Sequence, residues 1–229
     1  MKTIARIRTD FPTKFGIPRQ SGLIDDLKAR IIFEPEYRSP DALRGLEGFS
    51  HIWLIWEFSE NIRETWSPTV RPPRLGGNTR MGVFATRSPF RPNPIGLSSV
   101  KLDHIELHTE LGPVLHVSGA DLMDGTPIYD IKPYIELDCH PDAVCGFTDT
   151  VPVPVLEVLF PQDLLEQFPE EHRAALIAVL ASDPRPRYLK NPTRIYGLEF
   201  AGFDIQFRVE NDVLTVVDLW FVHPVSYEK

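Results

Sequence analysis

Positive charge is concentrated in one part of an acidic chain. Residues 65–102 contain no Asp or Glu, although the whole chain has a formal net charge of -8. The basic side chains of this arginine-rich stretch are Arg71, Arg74, Arg80, Arg87, Arg91 and Lys101. Guanidinium groups bind carboxylates and phosphates through paired hydrogen bonds, and the neighbouring Pro and Gly residues fix the backbone in turns. The stretch indicates a rigid site for an anionic partner, and the simpler alternative is a solvated loop with scattered arginines.

A second candidate site lies at residues 16–22, which read GIPRQSG. Pro18 stiffens this loop and Gly22 leaves it free to turn. The loop could therefore present backbone groups, together with Arg19 and Gln20, to a polar ligand. An ordinary connection that carries a surface arginine explains the same residues equally well.

A third candidate site is the segment DLMDGTPIYDIKPY at residues 121–134. Asp121 and Asp124 precede a Gly-Thr-Pro turn, and their carboxylates could hold ribose hydroxyls or balance a cationic ligand. Lys132 could contact a phosphate. The structural alternative is an Asx turn that caps a strand.

A fourth candidate is the segment DPRPRYLK at residues 183–190. It carries Arg185, Arg187 and Lys190, and Tyr188 among them could stack on a nucleic-acid base. A basic surface loop after a helix is the alternative interpretation.

Several functional classes lack their motifs in this chain. There is no GxGxxG, GxxxxGK[ST], HExxH or GxSxG pattern. Cys139, His140 and Cys145 are too few for a zinc site, so no metal is predicted. With two cysteines, no long apolar run and no secretory leader, the sequence predicts a cytoplasmic protein with reduced thiols and no membrane segment.

The elements that must position these sites are mostly strands. Apolar segments bounded by turn residues predict strands at 3–8, 29–33, 51–58, 82–86, 97–107, 114–119 and 128–131. The almost continuously apolar run HIWLIWEF predicts a strand buried on both faces, whereas KLDHIELH alternates as a half-exposed strand does. No long amphipathic helix precedes residue 155, so we expect a closed or nearly closed barrel, or a sandwich.

The character of the chain changes at residues 140–155. Segments that begin at prolines predict helices at 162–167 and 170–181. Strands are predicted at 194–200, 203–209 and 213–222, with a turn at Asn211-Asp212. We therefore expect a mainly β protein with two domains: a β-barrel-type domain at residues 1–145 and a small α+β domain at residues 155–229.

Four segments of the first domain, in this order, resemble the TrmO (YaeB/TsaA-like) family of S-adenosylmethionine-dependent tRNA methyltransferases. They are PRQSGL, RGLEGFSHIW, RPPRLGGNTRMGVFATRSPFRPNPIGLS and DLMDGTPIYDIKPY. DPRPRY and the terminal hairpin extend the resemblance to the form of the family with a small C-terminal domain. The resemblance implies a β-barrel methyltransferase that works as a homodimer. It also implies methylation of N6 of threonylcarbamoyladenosine, next to the anticodon of a threonine-accepting tRNA.

The resemblance also implies which residues bind S-adenosylmethionine. The matching positions are Pro18, Arg19, Gln20, Ser59, Glu60, Arg87, Leu97, Asp121, Leu122, Met123 and Asp124. Contact with tRNA is an extrapolation from the basic and aromatic residues Arg91, Lys132, Arg185, Arg187, Tyr188 and Lys190. N6 of the modified base is ureido-like and must lose a proton. The candidate bases are Asp121, Asp124, Tyr129 and Asp130, and the sequence does not choose among them.

Two other functions remain open at this stage. One is a nucleotide- or RNA-binding barrel without catalysis, and the other is methylation of a different RNA or a small molecule. The tetrapeptide [DNS]PP[YFW] of adenine N6-methyltransferases is absent, which disfavours unmodified adenine in DNA.

Overall fold

The structure is a computed structural model that describes residues 1–149, 155–185 and 191–222. The first of these ranges contains eight strands and several short 3-10 turns. In chain order the strands are β1 (Ala5–Arg8), β2 (Lys28–Phe33), β3 (His51–Glu57), β4 (Thr69–Val70), β5 (Met81–Gly82), β6 (Ile95–Glu106), β7 (Val114–Ser118) and β8 (Pro127–Pro133).

Six of these strands form a closed barrel in the order β1-β2-β7-β6-β3-β8, and every neighbouring pair is antiparallel. The last barrel strand returns to the first, where Ala5 pairs with Ile128 and Arg6 with Pro127. The barrel alternative is therefore confirmed over the sandwich. Closure leaves no free sheet edge, so the ladder hydrogen bonds of the strands are made within the sheet.

The strand β3 corrects one expectation from the sequence. Its side chains alternate, with Ile52, Leu54 and Trp56 buried inside the barrel while Trp53 and Ile55 are partly exposed. The prediction that β3 is buried on both faces was wrong, because a small closed barrel has a single packed interior. The aromatic and branched residues on the outer face made the run look continuously apolar.

The arginine-rich stretch is mostly loop. The strand expected at 82–86 was wrong, because β5 ends at Gly82 and a 3-10 turn spans Val83–Ala85. β5 pairs only with β4 in a two-stranded ribbon. Val83 is 1% exposed and anchors the stretch, while Phe84 beside it is 72% exposed.

The C-terminal unit is a sheet covered by helices. It contains β9 (Glu157–Leu159), α1 (Gln162–Leu165), α2 (Glu170–Ala181), β10 (Tyr196–Phe200), β11 (Phe203–Glu210) and β12 (Val213–Phe221). The sheet order is β10-β11-β12-β9, and the predicted turn at Asn211-Asp212 joins β11 to β12 with both residues at positive φ. The sequence did not predict β9, which pairs parallel to β12 over three residues only. The mainly β fold class with a small α+β C-terminal part is confirmed.

The C-terminal core extends into the first part of the chain. Leu176 and Leu180 of α2 pack in one cluster with Phe11 and Leu27, which belong to the first loop, residues 9–27 between β1 and β2. The barrel interior is a separate cluster. The domain limits 1–145 and 155–229 stay a prediction, and the first loop, although it lies between two barrel strands, packs in the C-terminal core. In the described ranges, no helix is long and apolar enough to cross a membrane.

Candidate functional site

Asp121 joins three of the segments that the sequence singled out. It follows β7, and its carboxylate Oδ1 accepts a hydrogen bond of 2.6 Å from Ser98 Oγ on β6. The backbone amide of Ser21 in the first loop also donates to this carboxylate, and the positive charge of Arg87 lies within electrostatic reach. Burial raises the pKa of the Asp121 carboxyl above its ordinary value, whereas these donors and Arg87 act in the opposite direction.

The serine that holds Asp121 is itself held from the barrel interior. Ser98 is fully buried, and Trp56 on β3 donates its indole Nε1 hydrogen to Ser98 Oγ at 2.9 Å. The hydroxyl thus accepts from Trp56 and donates to Asp121, which uses its single proton. Gly96 pairs with Trp56 across the two strands, and a Cβ on Gly96 would overlap the indole ring. The glycine therefore makes room for the ring that orients Ser98.

Two glycines hold the first loop against the segment that precedes Asp121. Gly22 donates its amide to the carbonyl of Gly119 at 2.9 Å, and Gly119 donates to Leu27 at 2.9 Å. Gly119 has a φ of 76°, and a Cβ there would lie 3.3 Å from the Cα of Gly22. This close approach of two backbones holds Ser21, which follows Pro18-Arg19-Gln20 in the first loop, where its amide reaches Asp121. Pro18 is buried, Gln20 is partly buried and Arg19 is exposed.

The end of β1 holds the second aspartate of residues 121–124, which the sequence predicts as cofactor contacts and which we call the cofactor stretch. Asp124 accepts from the Thr9 amide at 3.1 Å through Oδ1 and from Arg8 at 3.2 Å through Oδ2. Its own amide donates to the carbonyl of Phe11 at 2.8 Å. The Asx-turn alternative does not describe Asp124, because both carboxylate oxygens bond to a distant strand end. Leu122, 1% exposed, packs in the barrel core, and Met123 between the two is partly exposed.

Arg87 and Arg91 of the arginine-rich stretch differ in their surroundings. Arg91 is partly buried and donates one amino group to the carbonyls of Val83 at 3.1 Å and Thr86 at 2.7 Å. Arg91 therefore supports the conformation of its own loop. Arg87 is exposed on the side of Asp121. A shallow cavity of about 150 Å³ lies next to Arg91 and is lined by Asn61, Arg63, Thr65, Trp66, Ser67, Phe90 and Arg91.

Ser59 and Glu60 lie where the arginine-rich stretch enters the barrel. They begin the 3-10 turn Ser59–Asn61 directly after β3. The preceding Phe58 donates its amide to the carbonyl of Pro94 at 2.8 Å, which fixes this turn against the start of β6. Leu97 is 48% exposed on the outer face of β6, opposite to the inward Ser98. The structure thus places Ser59, Glu60 and Leu97 around one end of the β3–β6 pair.

Other predicted residues lie apart from Asp121 or outside the described ranges. Lys132 is exposed on the outer face of β8 and pairs with Asp130 at 3.0 Å. Arg185 makes two hydrogen bonds to Asp183, at 2.8 and 3.0 Å, which raise the pKa of its guanidinium. Its positive charge is therefore already balanced by a carboxylate. The predicted residues Arg187, Tyr188 and Lys190 lie outside the described residues.

Sequence reasoning missed the supporting residues Trp56, Ser98 and Thr9. One signal for Ser98 was available: in the alternation of β6 it occupies an inward position between Gly96 and Val100, where an apolar side chain is expected. A buried serine in a barrel core needs a hydrogen-bond partner, and that partner marks the site. Within residues 1–149, 155–185 and 191–222, no group of three or more His, Cys, Asp or Glu side chains is arranged to hold a metal ion.

Two family models match the chain. The tRNA-methyltransferase O N-terminal domain matches residues 6–139, and the TrmO C-terminal domain matches residues 154–221. The four motif segments lie inside the first match.

Individual proteins agree with this match. A tRNA (adenine(37)-N6)-methyltransferase of Escherichia coli K12 is 40% identical over 215 residues, which cover 90% of this chain and 91% of that protein. A protein of the same name from Eikenella corrodens is 47% identical over 170 residues, 73% of this chain and 95% of that protein. The crystal structure of TrmO from Pseudomonas aeruginosa superposes with a TM-score of 0.76 at 32% identity, and covers 96% of both chains. The matches to both domain models, the relatives that align along most of their length and the shared fold show that this chain belongs to the TrmO family of tRNA methyltransferases.

Proposed function

We propose that this protein transfers a methyl group from S-adenosylmethionine to N6 of the adenine at tRNA position 37, in its threonylcarbamoyl-modified form. The reaction class, the cofactor and the tRNA substrate follow from family membership. The convergence of Ser21, Ser98 and Arg87 on Asp121 carries the proposal at the level of the structure. The first loop and the arginine-rich stretch supply groups to a carboxylate of a third segment, as a ligand site requires and a solvated loop does not.

The groups around Asp121 suit S-adenosylmethionine chemically. The amino-acid part of the cofactor carries a carboxylate and an ammonium group. The exposed Arg87 is a suitable partner for the carboxylate, and Asp121 is a suitable partner for the ammonium group. Backbone groups of the first loop and the cofactor stretch offer hydrogen bonds to ribose or adenine. Leu97, half exposed on the outer face of β6, offers an apolar surface at the end of the β3–β6 pair.

The protein's own contribution to catalysis is alignment and exclusion of water. The cofactor supplies an electrophilic methyl group on a sulfonium, so the site must present N6 of the base to it in line. Trp56, Ser98 and Asp121 form a fixed chain of hydrogen bonds from the barrel core to the site, which limits the reorganisation needed during reaction.

Each of the four candidate bases has partners of its own. Asp124 is held by Thr9 and Arg8, and Asp130 pairs with Lys132. Burial and a hydrogen bond to Glu57 raise the pKa of Tyr129 to about 12, so this phenol holds its proton at neutral pH. The pKa of Asp121 is also raised, which makes its carboxylate a stronger proton acceptor than an ordinary aspartate. Asp121 is also held, by Ser98 and the Ser21 amide, and the same carboxylate is the proposed partner of the cofactor's ammonium group, so we assign no base among the four.

The test is methylation of defined tRNAs. Purified protein is incubated with S-adenosylmethionine and a threonine-accepting tRNA that carries threonylcarbamoyladenosine, and the nucleosides are analysed by mass spectrometry. We expect the modified nucleoside to gain the mass of one methyl group only when protein and cofactor are both present. Methylation of the same tRNA lacking the threonylcarbamoyl group would contradict the proposed substrate, and a lack of methylation of both would contradict the reaction.

The role of Arg87 is tested by calorimetry with S-adenosylmethionine. Arg87→Ala removes one charge-assisted contact, which weakens binding by roughly 1.5–3 kcal/mol, or about 10- to 150-fold. Arg44→Ala is the control, because Arg44 is 79% exposed and pairs with Asp41. Equal affinity of the Arg87 variant and wild type would remove Arg87 from the site.

We also propose that the protein is a homodimer and that the arginine-rich stretch forms its interface. Large apolar side chains are exposed there: Trp66 is 51% and Phe84 72% exposed, and Ile62, just before the stretch, is 62% exposed. A surface of this kind on one side of a molecule is typical of an association site. Sedimentation at micromolar concentration is expected to show twice the chain mass of 26.1 kDa, and a single species at 26.1 kDa would refute the dimer. A cytoplasmic location, where tRNA is modified, remains part of the proposal.

A further inference from the structure

Asp10 connects the two parts of the chain. It follows Thr9 at the end of β1 and is 4% exposed. His172 on α2 places its Nδ1 atom 3.1 Å from Asp10 Oδ2, and the Asp10 carbonyl accepts the amide of Ala201 at 3.0 Å. A buried carboxylate is costly without a partner, so these contacts from the C-terminal unit fix where Asp10 lies.

The two neighbours of Asp10 hold the cofactor stretch. Thr9 donates its amide to Asp124 at 3.1 Å and its hydroxyl to the carbonyl of Leu122 at 3.1 Å. Phe11 accepts the amide of Asp124 at 2.8 Å. Because Thr9 and Phe11 are bonded directly to Asp10, a displacement of Asp10 moves the groups that position Leu122 and Asp124.

Packing reinforces the same connection. Phe11 is 1% exposed and meets Phe200 of β10 edge to face, with ring centroids 5.1 Å apart. Further along the first loop, Gly16 lies against Leu198 with a φ of 83°, and a Cβ there would overlap that leucine. The loop that carries the Pro18-Arg19-Gln20 segment is thus anchored in the C-terminal core at several points.

We propose that His172 is a positioning residue for cofactor binding: through Asp10 it holds residues 9–11 against residues 122–124, so that the C-terminal unit sets the affinity of a site built on the barrel. The inference rests on the proposed function only in taking Leu122 and Asp124 as cofactor contacts. This positioning role differs from a purely stabilising role of the Asp10–His172 pair. In the stabilising role, His172 would hold the barrel and the C-terminal unit together without affecting the cofactor stretch.

Three variants of neighbouring residues separate these roles. His172→Ala removes the imidazole that contacts the Asp10 carboxylate. His172→Asn keeps an N–H donor close to the position of Nδ1. Arg173→Ala is the matched control, because Arg173 is next on the same helix and donates within the C-terminal unit, to the carbonyls of Phe168 at 2.9 Å and Glu166 at 3.1 Å. Loss of those bonds weakens the C-terminal unit without touching Asp10.

The first measurement is hydrogen exchange of full-length protein without cofactor, read in peptides that cover residues 119–126. The amide of Asp124 is protected by its bond to Phe11, so its exchange reports the connection directly. We expect faster exchange in His172→Ala, exchange close to wild type in His172→Asn, and no change in Arg173→Ala. This measurement is independent of any methyltransferase activity.

The second measurement is steady-state kinetics with tRNA and varied S-adenosylmethionine. We expect His172→Ala to raise the KM for the cofactor about tenfold with a smaller change in kcat, which lies within the range of effects transmitted through packed networks. The Asn variant should restore most of the loss, and Arg173→Ala should leave KM unchanged.

The outcomes are distinct. Equal exchange and equal KM in the Ala variants of His172 and Arg173 would overturn the positioning role, and so would faster exchange without a rise in KM. If wild type itself fails to bind S-adenosylmethionine, the proposed function fails. In that case, unchanged exchange in His172→Ala would also reject the connection from His172 through Asp10 to residues 122–124. Faster exchange would show that this connection exists but positions no cofactor.

Discussion

Ser98→Ala tests the hydrogen-bond chain that runs from the barrel core to Asp121. Ser98 is fully buried, accepts from Trp56 Nε1 at 2.9 Å and donates to Asp121 Oδ1 at 2.6 Å. Alanine fits the same space and removes a single oxygen atom. The variant therefore leaves the indole N–H without its acceptor and the carboxylate without one of its donors.

The magnitude follows from the two lost bonds. An unsatisfied buried N–H costs about 1–3 kcal/mol, and a bond to a charged group contributes about 1.5–3 kcal/mol. Because the bonds share one oxygen and the site relaxes, we expect a combined loss of roughly 2–4 kcal/mol. For a chain of this size that corresponds to roughly 4–16 °C in Tm. Cofactor affinity should fall about 2- to 12-fold, since Asp121 loses its fixed orientation.

The loss should depend on pH with a defined sign. The pKa of Asp121 in the folded protein is raised above 3.8, so stability attributable to this group decreases as pH rises from 3.8 through the folded pKa. Ser98 opposes that decrease by favouring the charged form. The difference in unfolding free energy between wild type and Ser98→Ala should therefore be larger at pH 7 than at pH 4.

The assays are urea unfolding at the two pH values and calorimetry with S-adenosylmethionine. Ser99→Ala is the control, because Ser99 is the next residue of β6 and faces outward, where it is partly exposed. It should change stability by less than about 0.5 kcal/mol. Equal stability and equal cofactor affinity of the Ser98 variant and wild type would refute the view that this chain of bonds supports the site.

Three further predictions concern other parts of the molecule. Gly96→Ala should cost at least about 1–3 kcal/mol in urea unfolding because its Cβ overlaps Trp56, whereas Gly48→Ala, with nothing within 4 Å, should be near neutral. The hydrogen bond to Asp10 raises the pKa of His172 above 6.5. The stability that protonated His172 contributes is therefore fully present below pH 6.5 and is lost as pH rises through the folded pKa. The free energy of unfolding, measured from acid to alkaline pH, should fall more steeply in wild type than in His172→Asn. Replacing Arg187 and Lys190 by Gln should reduce the salt dependence of tRNA binding, by about one unit of the log–log slope for each phosphate contact removed, and leave cofactor affinity intact. An unchanged slope would exclude these two residues as phosphate contacts.

The sequence predicted the strands of the barrel because their pattern is local. The alternation of β6 and the branched residues of β2 are visible in a few neighbouring residues. The closure of the barrel was left open between two architectures, since it depends on β1 meeting β8 across most of the domain. β9 was missed because three residues on a sheet edge carry too little pattern to distinguish a strand from a loop.

The sequence predicted the motif residues of the candidate site but not the residues that hold them in place. Arg87 and Asp121 stood out because charge and turn residues mark them in the chain. Ser98 and His172 act through partners that are distant in sequence, Asp121 and Asp10, so no local pattern identifies them. Arg185 was predicted as a phosphate contact from its charge alone, and its pairing with Asp183 depends on a backbone turn in which Asp183 has a φ of 53°. Its contact with tRNA stays a prediction.

The core shared between the first loop and the C-terminal unit has a consequence for the order of events during synthesis. The ribosome delivers the chain from its N-terminus, so all barrel strands emerge before β10 is made. Until β10 follows, Phe11 lacks the ring of Phe200, which it meets edge to face in the finished protein. The barrel can close on the ribosome while the first loop still lacks its anchors in the C-terminal core. A nascent chain stopped before β10 would carry a closed barrel with an incompletely packed first loop.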